Sequence, residues 1–351
     1  MTGTRRTAVV VCPGRGTYNK GELGYLRRHA RRYSDFLAAA DAHRIEQGQL
    51  PISELDGVKT FSVSMHTRGQ NASPLIYACS YSDFLSIDAD AIEVVAVTGN
   101  SMGWYSALAC SGALTGDHGL AVVNTMGRYM DEANIGGQAI YGLVDEDWCP
   151  LPNRRAELLA LINDLHSPPS RHVYVSIELG GMVVIAGDEA GLNALEAAAP
   201  PGPGRFPMRL QNHAAFHTPL QTPVSQRALA SLPEGWLRQP DVPLVDGRGA
   251  IWRPGATDIS SLRNYTFGHQ IVEPYDFTGA IRVSAREFAP DVFIVLGPGD
   301  TLGGAVAQSL IAQGWRGLAS KRTFTERQSG SPILLAMGRE DQRGQVTGNG
   351  D

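Results

Sequence analysis

No apolar run in the 351-residue chain approaches the ~18 residues of a membrane span, so no membrane-crossing helix is expected. Cysteine is scarce, and Cys12, Cys79, Cys110 and Cys149 show no C-x-x-C spacing. Buried free thiols in a reducing cytoplasm are expected, with no metal site and no permanently bound cofactor. Charged residues make up only 19% of the chain, which argues against a disordered or coiled-coil protein. The 30 lysines and arginines are scattered and the formal net charge is -5, so a nucleic-acid partner is not expected. A secretory signal is not expected either: Arg5-Arg6 precede an apolar run that stops at Pro13 after about six residues. What remains is 43% hydrophobic content, enough for a large core in two domains or in one domain with a smaller insert.

Thr7 to Cys12 reads as a buried strand that leads into the loop Pro13-Gly14-Arg15-Gly16. Gly21 to Ile45 has helical periodicity with a basic outer face, and Pro74 opens a second helix, because proline suits the first helical turn. Glu93 to Gly99 is the next buried strand, followed by helices over 103–114 and 119–133. The texture changes after Asn134. A strand in 136–144, a helix over 154–165, a strand pair around Gly180-Gly181, a helix over 188–199 and a last strand over 205–210 follow. Residues 134–208 thus read as a small α+β subdomain of mostly antiparallel character. Around it, 1–133 and 209–327 read as a discontinuous α/β core with a mostly parallel sheet flanked by helices. Its later elements are a strand in 242–247, a helix from Tyr275, a strand over 292–297 and a helix over 303–311. Residues 328–351 lose periodicity and read as a solvated, partly disordered tail.

Gly99-Asn100-Ser101-Met102-Gly103 stands between an apolar strand and a helix, the nucleophile-elbow pattern G-x-S-x-G. The glycines permit a sharp turn that leaves the hydroxyl exposed. The helix that begins there directs free N–H groups and its positive dipole end at the serine. The ordinary alternative is a Gly-Ser turn with no chemistry. A serine nucleophile needs a base, and His213, His217 and His269 are candidates. An α/β-hydrolase chain order favours the late His269, and a patatin-like Ser-Asp dyad would draw on Asp246-Gly247.

Eight segments stand in order between residues 7 and 325. They are Pro13-Gly14-Arg15-Gly16, Ser73-Pro74, Gly99 to Gly103, Met126-Gly127-Arg128-Tyr129-Met130, Met182 to Gly187, Ala215-Phe216-His217, Gln270 to Pro274, and Leu296 to Gly299. In this order and spacing they resemble the malonyl-CoA:acyl-carrier-protein transacylase family, including the acyltransferase domains of fatty acid and polyketide synthases. The resemblance implies a hydrolase-like α/β core carrying a ferredoxin-like α+β insert. It implies Ser101 as nucleophile, His217 as its base, and the backbone N–H groups of Arg15 and Met102 as the oxyanion hole. Gln270 falls where the family's glutamine orients the histidine through its backbone. Such a dyad needs no acid where a carbonyl or amide fixes the imidazole tautomer. The implied reaction is ping-pong acyl transfer from acyl-CoA, a substrate, to the phosphopantetheine thiol of an acyl carrier protein. It runs through an acyl-serine in the cleft between core and insert.

The chain departs from the family where specificity is set. The family's arginine of R-G-x-x-M forks onto the malonyl carboxylate, and Met126 holds that position here. Arg128 lies about 200° further round a helix and should not replace it. A lost charge-assisted contact is worth ~1.5–3 kcal/mol. The expectation is an acyl group without a free carboxylate, small or unbranched because Phe216 crowds an α-branch. Met126, Phe216, Asn100 and Arg15 are the expected substrate-binding residues. The alternative is that Arg15, which stands where glutamine is usual, supplies the cation. Asn100 and Trp104 replace a histidine and a common glutamate beside the serine, and Ser176 and Glu178 fall where asparagines are frequent. Two other readings keep the fold: an acyl hydrolase that clears stalled acyl groups, and a non-catalytic relative acting as a scaffold.

Overall fold

Strands and helices alternate to build two sheets, described in the computed structural model for residues 5–202 and 206–348. In chain order the strands are β1 (Arg6–Cys12), β2 (Ile92–Gly99), β3 (Gly137–Gly142), β4 (Val173–Leu179), β5 (Met182–Gly187), β6 (Met208–Leu210), β7 (Leu244–Val245), β8 (Ile251–Trp252), β9 (Tyr275–Asp276), β10 (Val292–Val295) and β11 (Leu334–Ala336). The larger sheet has the order β11-β10-β1-β2-β7-β8 and is parallel except for the β7–β8 pair. Parallel strands covered on both faces must be apolar throughout rather than alternating. Ala8 to Cys12 and Val292 to Val295 meet that demand and are buried along their whole length. Helix Gly103–Cys110 follows β2 almost directly, so the elbow lies at the C-terminal end of a central strand, where open α/β sheets bind their ligands.

The second sheet has the order β6-β3-β5-β4-β9, antiparallel except where β4 meets β9. Its first four strands run strand-helix-strand-strand-helix-strand along the chain, the ferredoxin-like arrangement. Helices Arg154–Leu165 and Glu189–Ala198 cover one face, with Leu158, Ile162, Leu192 and Leu195 against Ala139, Tyr141, Val173 and Ile185. Side chains alternate across a strand. Val184, next to Ile185, therefore points into the core of the larger sheet, and Ile177 joins it because β4 shifts register after Val175.

Several expectations are corrected. The segment 21–45 is not one helix but breaks into Tyr25–His29 and Ser34–Glu46. Pro74 does not open its helix, which runs Gly69–Leu85 with the proline inside. A proline deprives the carbonyl four residues earlier of its helical donor. Here that carbonyl, Gln70 O, accepts instead from the buried Arg44 guanidinium at 2.8 Å. The start of the same helix is capped from a distance: the N–H groups of Gly69 and Gln70 donate to the Asp131 carboxylate at 2.8 and 3.0 Å. Tyr275 lies in β9, and the helix after it is Phe277–Phe288. Of the expected last strand over 205–210, Arg205 lies outside the described residues. Among the described residues no helix is long and apolar enough to cross a membrane.

The tail expectation is also overturned for 328–348, with 349–351 outside the described residues. β11 pairs in parallel with β10, and helix Glu340–Thr347 follows it. Weak hydrophobic periodicity hid both, because charge holds this segment. Arg343 reaches the fully buried Asp83 carboxylate at 2.8 Å. The Tyr25 hydroxyl and the Gly297 N–H donate to the same carboxylate at 2.6 and 2.8 Å. Removing one partner of a buried ion pair costs about 3–5 kcal/mol, because the other charge stays buried. Arg343→Ala should therefore lower the calorimetric unfolding midpoint by several degrees. An unchanged midpoint would show that the C-terminal helix adds nothing to the core.

Candidate active site

Ser101 occupies the turn between β2 and helix Gly103–Cys110 with φ +55°. That left-handed conformation costs an L-residue ~1–2 kcal/mol. Close packing enforces it. A Cβ on Gly99 would collide with the Gly103 carbonyl, and a Cβ on Gly103 with the Cys12 carbonyl at the end of β1. The turn is closed by the Asn100 N–H donating to Cys12 O at 3.0 Å and the Gly103 N–H donating to Asn100 O at 2.8 Å.

His217 comes from the loop after β6 and also has a positive φ, +58°. Its Nε2 lies 2.7 Å from Ser101 Oγ, and its Nδ1 lies 2.6 Å from the Gln270 carbonyl oxygen. A carbonyl oxygen only accepts, so Nδ1 carries the proton and Nε2 turns its lone pair to the hydroxyl. Burial pushes the His217 pKa down to about 4, with the Gln270 carbonyl acting against that shift. The imidazole is thus neutral at pH 7 and able to take a proton from Ser101. Gln270 follows a π-helical turn, Tyr265–His269. Its side chain adds what sequence reasoning missed. Nε2 donates to the Ser101 carbonyl at 3.1 Å, and Oε1 accepts from the Tyr105 hydroxyl at 3.2 Å.

Ser101, His217, Gln270, Met102, Met126, Phe216 and Arg15 all line one cavity. The sequence reading missed Ser73, Tyr105, Met130 and Ile271, which line it too. Met130 stands four residues beyond Met126 on helix Gly116–Ala133, a spacing that puts side chains on one face and was there to be read. Tyr105 and Ile271 carried no such signal. Met126, Met102, Met130, Phe216 and Ile271 make the wall largely apolar. Asn100 is not among the lining residues, and neither is Arg128, which pairs with Glu132.

Arg15 stands at the edge of this cavity. Its Nη2 donates to the carbonyls of Thr67 and Asn212 at 2.6 and 2.7 Å, and its guanidinium lies 5.4 Å from the Phe216 ring centre. Desolvation lowers its pKa to about 10, opposed by Asp131, so it remains a cation at neutral pH.

The competing candidates sit elsewhere. The His269 ring stacks on Tyr265. Asp246 is buried and spends its carboxylate on Arg248, Trp252 and the N–H groups of Arg248 and Ala250. Trp104 is fully buried and donates to Thr266 Oγ1 at 3.0 Å, and Glu178 pairs with Arg155 at 2.6 Å. Among the described residues, no group of three or more His, Cys, Asp or Glu could hold a metal ion.

No protein-family model matches the chain. It is 25% identical over 238 residues to the malonyl CoA-acyl carrier protein transacylase of Bacillus subtilis (strain 168), a stretch covering 67% of this chain and 71% of that protein. It is 26% identical over 212 residues to the protein of the same name from Salmonella typhimurium, covering 59% and 63%. The crystal structure of an acyl-carrier-protein S-malonyltransferase from Burkholderia pseudomallei 1710b superposes with a TM-score of 0.73 at 21% identity, over 97% of this chain and 98% of that one. The structural likeness establishes the fold, and in sequence the chain is similar to proteins named malonyl CoA-acyl carrier protein transacylase.

Proposed function

We propose that the protein moves an acyl group from CoA to the phosphopantetheine thiol of an acyl carrier protein through an acyl-serine at Ser101. The observation that carries this reading is the 2.7 Å contact between Ser101 Oγ and His217 Nε2, with Nδ1 held by the Gln270 carbonyl. Ser101 Oγ bonds to the thioester carbonyl carbon while His217 Nε2 takes its proton. The oxyanion rests on the N–H groups of Arg15 and Met102, each such donor being worth ~3 kcal/mol of transition-state stabilisation. Collapse breaks the C–S bond, and the CoA thiolate leaves with the proton from His217. The carrier thiol then passes its proton to His217, attacks the acyl-serine carbonyl and releases Ser101, which regains the proton. The four free cysteines, three of them buried, suit a reducing cytoplasm.

The acyl group this cavity suits is one without a free carboxylate. Met126 is 2% exposed and lines the same, mostly apolar cavity as Ser101. Arg15 is the cation nearest to a substitute, yet its Nη2 is already committed to two backbone carbonyls. A carboxylate entering here forgoes a fork worth ~1.5–3 kcal/mol, on the order of tenfold to a hundredfold in discrimination.

Intact-mass measurement after incubation with a panel of acyl-CoAs tests both points. The wild type should gain an adduct from unbranched acyl-CoAs and little from malonyl-CoA, and Ser101→Ala should gain none. Met126→Arg should raise malonyl labelling at least tenfold. Strong malonylation of the wild type would overturn the reading of Met126, and the absence of any adduct would favour the scaffold. Rapid release of free acid without carrier protein would assign a hydrolase.

The pH dependence has a definite sign. His217 is the base only when neutral, and its folded pKa of about 4 keeps it so above that pH. Single-turnover acylation should be flat from about pH 5 to 8, and an inflection near the ordinary histidine value of about 6.5 would refute the buried base. Stability behaves differently. The unfolded histidine takes up a proton below about pH 6.5 and the folded one does not, so His217 makes folding less favourable as pH falls from there toward 4.

A further inference from the structure

We infer that Gln138 and Ser176, both in the second sheet, are positioning residues that hold the backbone of His217 in its left-handed conformation. The starting point is an irregularity. β4 pairs with β5 in register up to Val175 and again from Ile177, so Ser176 is the extra residue of a β-bulge. A bulge re-aims a side chain and is over-represented beside active sites. Here it turns the Ser176 hydroxyl to the Phe216 carbonyl oxygen, which accepts at 2.8 Å.

The direction of the remaining bonds follows. The Phe216 carbonyl can only accept, so Ser176 spends its proton there and its oxygen must accept from Gln138 Nε2, at 2.7 Å. That orients the Gln138 amide, leaving Oε1 to accept from His213 Nδ1 at 2.8 Å. Desolvation, with Arg15 as a second cause, lowers the His213 pKa to about 3, so this histidine stays neutral and the chain carries no charge. Gln138 and Ser176 are 2% and 0% exposed, so the chain has no water to compete with it.

The end of this chain matters most. The Phe216 carbonyl belongs to the peptide group that joins Phe216 to His217, the residue with φ +58°. Ser176 fixes that peptide plane, and Gln270 fixes the far side of the ring. The imidazole is thereby pinned at its backbone from the second sheet and at Nδ1 from the segment after the π-helical turn. A displacement of about 1 Å at a reacting group costs up to ~100-fold in rate.

The inference rests on the acyl-serine reading, and the experiment separates the two. Three proteins are compared: wild type, Ser176→Ala, and Ser176→Thr, which keeps a hydroxyl at the bulge. Each is measured for thermal midpoint, single-turnover acylation of Ser101, and the NMR resonance of the His217 Nδ1 proton. Ser176→Ala should acylate ~10- to 100-fold more slowly, with the Nδ1 proton signal shifted or broadened, and Ser176→Thr should regain rate and signal whatever its midpoint. A merely structural role would make the rate follow the midpoint across the three proteins, and that result overturns the inference, as does an unmoved Nδ1 signal in Ser176→Ala. If the wild type forms no adduct, the acyl-serine reading fails, and the signal still decides the positioning role.

Discussion

The hydrogen bond from His217 Nδ1 to the Gln270 carbonyl is the contact on which the site depends. A carboxylate in that place would hold the same tautomer but would also raise the imidazole pKa and favour its protonated form. A carbonyl holds the tautomer with only a partial charge. Burial then outweighs it and leaves the base neutral, with a pKa of about 4. Among the described residues, the Gln270 carbonyl at 2.6 Å is the acceptor that Nδ1 has. Geometry carries more of the work here than charge does.

That explains why so much of the fold converges on one imidazole. Ser101 comes from the turn after β2, His217 from the loop after β6, and the Gln270 carbonyl from the segment after a π-helical turn. Gln270 joins the first and last directly, because its side chain donates to the carbonyl of Ser101 itself. The Tyr275 hydroxyl donates to Gly99 O at 2.6 Å and its ring lies 5.4 Å from that of His217, so β9 braces the same pair. Two non-glycine residues held at positive φ, Ser101 and His217, face each other across 2.7 Å. Strained backbone persists only where its surroundings over-determine it, and these bonds are those surroundings.

How legible this was in the sequence depends on what kind of force set each part. Strands built on uninterrupted apolar runs, such as Ala8 to Cys12 and Val292 to Val295, announce themselves because burial on both faces leaves no other pattern. The elbow was legible because crowding admits nothing but glycine at 99 and 103. The two methionines of the apolar wall share a helical face, so one implied the other. What stayed hidden was set by polar contacts between residues far apart in the chain. Leu334 to Ala336 is too short to show a period, and the helix after it is tied down by Arg343 and Asp83, 260 residues apart by nothing a local pattern can register. The helix through Pro74 survives because Arg44 replaces a donor that its own backbone lost. The side-chain role of Gln270 and the bulge at Ser176 are of the same kind.

Arg15 brings these threads together. Its guanidinium links Thr67, just before helix Gly69–Leu85, to Asn212 in the loop that carries His217, and lies over the Phe216 ring. Asn212 Nδ2 donates to Thr67 Oγ1 at 2.5 Å, so the two loops are fastened twice at the edge of the cavity. A cation with a desolvated guanidinium and no carboxylate directly bonded to it costs free energy, which its lowered pKa of about 10 records. Fastening the loops offsets part of that cost, and the charge that remains contributes a positive potential beside the cavity, long-ranged and weakened by salt. Met126 and Arg15 line the same cavity in different ways: Met126 is buried as an apolar side chain, and the Arg15 guanidinium is spent on two loops and on the Phe216 ring.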